Sequence, residues 1–535
     1  MKKIFINTSL LLLIVVTLGS CKKSLVELYN NPELTGVTTT SLPNLFTAML
    51  NNDRVRPAYW NQRTYLMPHA AVYSQTASYS TGDNRIYVQN DNYTGNYWSD
   101  FYYPAGNGSG PMGVYRLMES TYNSLPAAEQ ANQQVFMQAA KIILYDQASR
   151  MIDAWGDIPF SAAGSLETAS TIKDASFDDA KTLYTTLISG LNDAATFFGS
   201  ATLSTNVSAS FNRQDILLSG NLNKWRRYAN SIRLRMLMRS SFVDEATART
   251  VVTTMLNNST TYPLVDGNNV GTYDPASVDI LLQPLTTNIN TPQSALTEIS
   301  SYFAPDYMLN TVMLPANDPR IPVLFDKFGV TSGSRFTPNP TFRAMPVTFT
   351  GQEQNDNFTK FSIIDSTTFL NNAKMPGISM TAPEVNFLKA EAYERWGSST
   401  SAQTAYNTAV AQSVSFYYYL NSIGQGKKET SPSATTITTF LAAPTVAYTG
   451  SSTDKLAKIW TQKWLNFGLL QSDQAWSEYR RTKYPQLTIV RQTFNGYETP
   501  PNRLLYPSVE TGYNTNYGSV QGKDTRTTKI FWDVK

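Results

Sequence analysis

Residues Thr381–Val410 read TAPEVNFLKAEAYERWGSSTSAQTAYNTAV. Thr381 and Glu384 stand at the spacing of a capping box, in which a hydroxyl and a carboxylate each satisfy a backbone N–H at a helix start. Pro383 suits the first turn, where its missing N–H would have had no partner. Val385, Leu388, Ala392 and Trp396 follow at helical spacing until Gly397 ends the pattern. A second helix is predicted from about Ser401, with Ala402, Ala405, Tyr406, Ala409 and Val410 along its apolar side. Only a short turn separates the two, so they must run antiparallel, and the small side chains of Ala392, Ala402 and Ala405 let them approach closely.

This helix–turn–helix resembles a tetratricopeptide unit, although no clean 34-residue repeat runs through the chain. Outward from it, helical periodicity continues to dominate. Val135, Ala139, Ile142, Ile143, Met151, Ile152 and Trp155 mark one long amphipathic helix from about Glu129, stopped by Gly156 and Pro159. A helix is predicted from Ser176, with Asp179 as a capping-box variant, through Leu183, Leu187, Leu191, Ala195 and Phe198 to Gly199. Trp225, Tyr228, Ala229, Ile232 and Met236 share a face of another, with Arg226, Arg227, Arg233 and Arg235 read as its solvated or salt-bridging side. A last helix starts near Asp454, carries Leu456, Ile459, Trp460, Lys463, Trp464 and Phe467, and is expected to continue through Trp476 toward Tyr479. The predicted fold class is therefore mainly α, with tetratricopeptide-like helix pairs forming an α/α superhelical scaffold, long loops and a few short strands.

Three long polar stretches interrupt the helices: Asn51 to Pro111, Thr261 to Ser300, and Gly424 to Ser452. They read as loops, and loops of such length in a compact domain usually carry function or short strands. Composition points to the ligand they would serve. The 43 Lys+Arg nearly balance the 40 Asp+Glu, charged residues make up only 16%, and aromatics reach 12% with 31 Tyr and 9 Trp. A balanced charge argues against nucleic-acid binding, which needs a concentrated basic patch. Tyr and Trp offer a flat apolar face with a polar handle, and Asn and Gln offer both donors and acceptors, which together grip an uncharged polyol.

The N-terminus is expected to be a leader. Lys2 and Lys3 precede an apolar run from Leu10 to Leu18, and Leu18-Gly19-Ser20-Cys21 ends in the chain's single cysteine. Asn7, Thr8 and Ser9 leave the run short of the roughly 20 apolar residues that span a bilayer. The small residues before Cys21 resemble the lipobox of bacterial lipoproteins, so residues 1–20 are predicted to be a signal peptide. Cys21 would be the lipidated first residue of one domain spanning residues 21–535. No internal disulfide is then possible, and acyl chains rather than protein surface would hold the membrane.

Catalytic constellations are missing. A single histidine, His69, excludes HExxH chemistry and multi-histidine metal sites. No GxSxG elbow occurs. Gly424-Gln425-Gly426-Lys427-Lys428 lacks the spacing and the Ser/Thr of a phosphate loop and reads as a flexible turn. Asp153 and Asp157 could be nominated as a glycosidase pair, but they flank a helix end and suit capping or turn roles. Asn90 to Asn96 is oxygen-rich without the spacing of an EF-hand calcium loop. No cofactor, metal or catalytic residue is predicted.

MQAAKIILYDQASRMIDAWGDIPF (Met137–Phe160) is similar to the helix and Trp/Tyr-Gly-Asp-Ile/Val-Pro turn of the SusD/RagB outer-membrane nutrient-binding lipoproteins. NKWRRYANSIRLRMLMR (Asn223–Arg239) resembles the Lys-Trp-x-x-x-Ala-Asn-Ser-Leu-Arg-x-Arg helix of the SusD-like subgroup. Glu384–Gly397 with Ala405-Tyr406 and Ala409-Val410, then IWTQKWL (Ile459–Leu465), then Pro501-Asn502-Arg503, Tyr506-Pro507 and Glu510 match in order. The resemblance implies a binder rather than an enzyme, anchored by lipid in the outer membrane, facing the exterior. Its implied partner is a SusC-like TonB-dependent barrel to which it delivers a glycan or other nutrient. Peptide or amino-acid binding, or a surface glycoside hydrolase, are the alternatives that the sequence leaves open. Ligand contacts vary within the family, so binding residues are chosen on physical grounds. The densest run of aromatics and amides is Tyr73 to Tyr103, and Tyr79, Arg85, Tyr87, Asn92, Tyr93, Tyr97 and Trp98 are the candidates, with Tyr302 to Tyr307 as second choice.

Overall fold

The computed structural model describes residues 41–56, 59–77, 85–103, 110–169, 171, 173–284, 295 and 303–535. The predicted leader, Cys21, Tyr79 and Tyr302 lie outside these residues. The α-helices of eight residues or more are, in chain order, α1 (Leu42–Leu50), α2 (Asp91–Tyr102), α3 (Pro111–Ser124), α4 (Ala127–Trp155), α5 (Ala180–Ser200), α6 (Thr205–Gln214), α7 (Leu222–Ser240) and α8 (Glu245–Asn257). They continue with α9 (Ala382–Trp396), α10 (Ser399–Ile423), α11 (Ala434–Leu441), α12 (Ser452–Phe467) and α13 (Ser472–Thr482), and a π-helix covers Gln62–Ala71. Strands are short. Among the described residues they form four two-stranded antiparallel sheets: β1 (Ile158–Pro159) with β2 (Phe177–Asp178), β3 (Ile280–Leu282) with β8 (Gly377–Met380), β4 (Phe325–Asp326) with β7 (Ile363–Ile364), and β5 (Gly329–Ser332) with β6 (Arg335–Pro338).

The fold is mainly helical, built from helix pairs of tetratricopeptide type. α9 packs on α10 across the turn at Gly397, and α9 also packs on α12, α7 and α8; α3 lies on α4, and α5 on both α4 and α7. Buried apolar side chains form two large clusters, and α9 belongs to both: Val385, Leu388 and Ala392 face one, Phe387 and Ala390 the other. Every residue from Ala382 to Ala392 is buried. A helix enclosed on all sides must pair each of its polar groups. Asn386 Nδ2 donates to the Asp266 carbonyl at 2.9 Å, Lys389 meets Asp266 at 2.7 Å, and Glu391 meets Arg481 at 2.6 Å. The expected capping box is only half formed. Thr381 accepts from the Glu384 N–H, but the Glu384 carboxylate turns to the buried guanidinium of Arg235, 2.5 Å away.

Ion pairs knit the helices behind this pair. Arg235 also meets Asp146 of α4 at 3.0 Å, Arg239 meets Asp153 and, at 3.2 Å, Glu478, and Lys463 meets Glu478 at 2.5 Å. Trp532 is fully buried, and its indole N–H donates to Asp153 at 2.8 Å across 379 residues of sequence. Of the α7 arginines read as solvated or salt-bridging, Arg235 is thus salt-bridged, as is Arg239 beyond them, because carboxylates from α4, α9 and α13 come to both.

Element boundaries moved for local reasons. Phe177 and Asp178 pair with β1, so α5 begins later than Ser176 and Asp179 is its cap, accepting from the Thr182 N–H at 2.9 Å. The last helix does not run on through Trp476. Gly468 takes φ +47°, and a Cβ there would lie 2.6 Å from the Tyr417 hydroxyl, so α12 stops and α13 starts afresh at Ser472. The largest correction is Asn51 to Pro111, expected as loop. It contains the π-helix and α2, whose Thr94, Tyr97, Trp98 and Phe101 are buried at helical spacing. Polar and aromatic identities masked that period. The other two stretches hold β3 and α11 respectively.

Candidate ligand-binding site

Of the nine tryptophans, Trp60 is the exposed one, at 44%. It stands just before the π-helix, edge-on to Tyr59 with ring centroids 5.0 Å apart. One turn on, the Arg63 guanidinium lies 5.2 Å from the ring centre of Tyr93, in the first turn of α2. Asn90 caps that helix by accepting from the Tyr93 N–H at 3.2 Å, and Asn92 and Asn96 of the same helix are exposed. His69 fixes the junction from below: its Nδ1 faces the Thr64 carbonyl at 2.9 Å and its Nε2 accepts from the Asn90 N–H at 3.1 Å. Both contacts require a neutral ring with the proton on Nδ1, and burial pushes the His69 pKa down to about 4.

A second aromatic group is built around Arg85, in the segment that precedes α2. The Arg85 guanidinium covers Phe494 at 4.3 Å, Phe494 lies 5.5 Å from Tyr497, and Arg526 covers Tyr497 at 4.3 Å. Arg526 is anchored by donating to the Tyr87 carbonyl at 3.0 Å. The two groups, linked along the chain through residues 85–96 and together the aromatic strip, offer half-exposed rings, guanidinium planes and amides. Ring faces match the apolar faces of sugar rings, while amides and guanidinium groups donate to or accept from hydroxyls in their planes.

Of the seven sequence candidates, Arg85, Asn92 and Tyr93 lie on this strip and Tyr79 is outside the described residues. Tyr87, Tyr97 and Trp98 are core residues, exposed by only 2%, 5% and 1%. Tyr97 stacks on Tyr65 at 4.0 Å with Arg54 over its other side at 3.8 Å. Trp98 packs edge-on to Trp155 and Tyr506, and its indole N–H donates to Glu510 at 3.0 Å. The Tyr87 hydroxyl donates to the Val490 carbonyl at 3.3 Å. These three rings have no face left for a ligand, which corrects their assignment. Tyr307, from the second choice, is half-buried and sits edge-on to Trp464 at 6.3 Å. Sequence reasoning missed Trp60, Phe494 and Tyr497. The one available signal was the placement of Tyr59-Trp60-Asn61 and Phe494-Asn495-Gly496-Tyr497 in polar, turn-rich surroundings.

The nominated acid pair has structural partners. Asp153 is buried against Arg239, and Asp157 accepts from the Ala180 N–H at 2.8 Å, holding the start of α5. Asn90 to Asn96 is a helix start rather than a loop. Gly424 to Lys428 is a turn in which Lys428 donates back to the Gly424 carbonyl and Gln425 N–H to the Asn371 carbonyl.

Residues 33–507 match the family described as SusD-like, starch-binding associating with outer membrane. The chain belongs to the SusD-like family. Among solved structures it is similar to a chitin-binding protein (21% identity, TM-score 0.72, covering 92% of this chain and 100% of that one). It is also similar to a chitin-binding SusD homologue from Flavobacterium johnsoniae (21% identity, TM-score 0.66, 92% and 99%) and a SusD homologue from Bacteroides thetaiotaomicron (21%, 0.65, 93% and 100%). No curated protein matches. The helix-pair scaffold of this SusD-like protein is thus the family's fold, and the family is of an outer-membrane-associated, glycan-binding type. No helix among the described residues is long and apolar enough to cross a membrane. The Trp155 turn and the α7 motif are packing elements here: the Trp155 indole donates to the Leu505 carbonyl at 3.0 Å, and the Trp225 indole to Asp215 at 2.7 Å.

Proposed function

We propose that this SusD-like protein is a lipid-anchored, single-domain surface protein that binds a neutral glycan without chemical change and delivers it to a SusC-like TonB-dependent outer-membrane barrel. The observation that supports the glycan reading is the two half-exposed aromatic groups, one around Trp60 and Tyr93 and one around Phe494 and Tyr497, which combine ring faces with amides and guanidinium groups. Two of its structural relatives are chitin-binding, which makes chito-oligosaccharide the first ligand to try. The lipobox ending at Cys21 supports the anchor, and the engagement of α9 in both apolar clusters supports one domain. A protein that only binds is useful to a cell when it hands its ligand on, which supports a barrel partner and an interface at or above the standard ~1,600 Å².

The test is calorimetric titration of the full chain in detergent with chito-oligosaccharide, the sugar being recovered afterwards. Binding with intact ligand is expected, and Trp60→Ala should weaken it. Recovery of shortened ligand would overturn the reading in favour of a hydrolase. Cys21→Ser should release the protein from membranes that lack the barrel, and native purification in mild detergent should bring the barrel with it.

A further inference from the structure

A cleft of about 500 Å³ opens between α7, α8 and α9, lined among others by Arg226, Arg227, Tyr262, Asp266, Lys389 and Tyr393. A second hollow of about 260 Å³ shares Asn268, Lys389 and Tyr393 with it, so the two form one groove along α9 and α10. The volume lies within the range of small-molecule sites. No part of the aromatic strip borders it.

The charges in the groove are unequal. Arg226, Arg227 and Lys389 face the single carboxylate of Asp266. That carboxylate is already engaged, by Lys389 at 2.7 Å and by the Asn268 N–H and side-chain amide at 3.1 and 2.8 Å. Among the described residues, neither Arg226 nor Arg227 forms an ion pair. Each uses one Nη on a backbone carbonyl, Thr261 at 2.7 Å and Leu264 at 2.7 Å respectively, which fixes its fork, and each Nε is buried without a partner. Arg226 is further located by Gly199 of α5: a Cβ there would lie 2.9 Å from the guanidinium carbon. Burial and the neighbouring Arg226 charge push the Arg227 pKa down, against Asp266. Two half-buried, pre-oriented, mutually repelling guanidinium groups in a concave site are what a bound oxyanion relieves. Around them stand the exposed amides of Asn223, Asn268 and Asn269 and the half-buried rings of Tyr262 and Tyr393, the groups that address a polyol.

We propose that this groove is a second binding site, which takes a small sugar bearing an oxyanion, with Arg226 and Arg227 holding the anionic group and Asn268, Asn269 and the two tyrosine rings holding the sugar. It is separate from the strip and does not depend on what the strip binds. The pocket's size favours a mono- or disaccharide over a protein segment.

The test titrates the full chain at low salt with glucuronic acid, glucose 6-phosphate, glucose and inorganic sulfate. Glucuronic acid, glucose 6-phosphate or both should bind at least about 10-fold more tightly than glucose, whichever is tighter naming carboxylate or phosphate as the anion. Binding should weaken in about 0.5 M salt. The double variant Arg226→Gln/Arg227→Gln should lose about 10-fold or more for the acidic sugar while chito-oligosaccharide binding at the strip stays unchanged. Arg226→Lys, which keeps the charge and loses the fork, gives a milder change and a second reading should the double variant melt. Acidic sugars bound no better than glucose, or equally well by both folded variants, overturn the proposal. Sulfate bound as tightly as the sugar acids also overturns it, as an anion site with no sugar recognition.

Discussion

Helix α7 carries two kinds of arginine. Arg235 and Arg239, in its C-terminal half, are buried and met by carboxylates from α4, α9 and α13, whereas Arg226 and Arg227, in its first turns, are half-buried and, among the described residues, met by carbonyl oxygens alone. The same side chain on the same helix is a structural tie in one place and an unfilled donor in the other. The difference teaches where to look for ligands: a buried charge that is fully paired holds the scaffold together, while a half-buried charge without a counter-ion is free to take one from outside. The aromatic residues divide likewise. Trp98 and Tyr97 have both faces covered, and Trp60 has one to offer.

If the interior arginines are ties, removing one carboxylate should break the scaffold. Burial pushes the Glu391 pKa up, but Arg481, Lys463 and Arg395 together hold it down to about 2. Glu391→Gln should therefore cost about 3–5 kcal/mol, read as a fall in melting temperature at neutral pH. The contribution of Glu391 should persist at any pH above its unfolded value near 4.5 and fade only as pH drops from there toward 2. Trp98→Ala tests the covered rings: it should cost about 3–5 kcal/mol in the same assay. A Trp98→Ala protein that melts normally and binds chito-oligosaccharide less well would reverse the assignment of the two tryptophans.

His69 sharpens the comparison from beneath the strip. Its folded pKa, about 4, lies below the unfolded value near 6.5, so its stabilising effect is complete above pH 6.5 and is lost as pH falls through that value toward 4. Between about pH 7.5 and pH 5 the protein should lose about 2 kcal/mol that a His69→Gln variant does not lose, measured by denaturant unfolding at each pH. The smallest effects belong to the open side. Trp60→Ala should weaken glycan binding about 10-fold, roughly 1.4 kcal/mol, with little change in melting. Arg226→Gln should shift stability by no more than about 0.5 kcal/mol, since no carboxylate is left unpaired when it goes.

These contrasts explain what was legible beforehand. The α9–α10 pair, α4, α7 and the start of α12 showed in the sequence because apolar period and caps are local signals, and each lies within a few residues of the predicted place. Partners distant in sequence did not show. Glu384 sat at capping-box spacing, and only the fold brings it to Arg235, 149 residues away. Trp98 lay in a stretch rich in Tyr, Asn and Gly that read as loop, and its hydrogen-bond partner Glu510 is 412 residues on. Composition announced that rings and amides were plentiful, yet which ring faces outward is decided by packing between distant segments. Of the residues nominated from sequence, Arg85, Asn92 and Tyr93 therefore fall in the partly exposed aromatic groups, while Tyr87, Tyr97 and Trp98 fall in the core.

The hydrogen bond from Trp532 to Asp153 has a consequence for how the protein is made. At roughly 5–20 residues per second, the 379 residues between them take the ribosome on the order of tens of seconds to add. Throughout that time α4 is synthesised but its buried carboxylate lacks the indole that completes its surroundings, and Arg239 and Glu478 arrive only in turn. This one contact of the interior can therefore form only after Trp532 has been added.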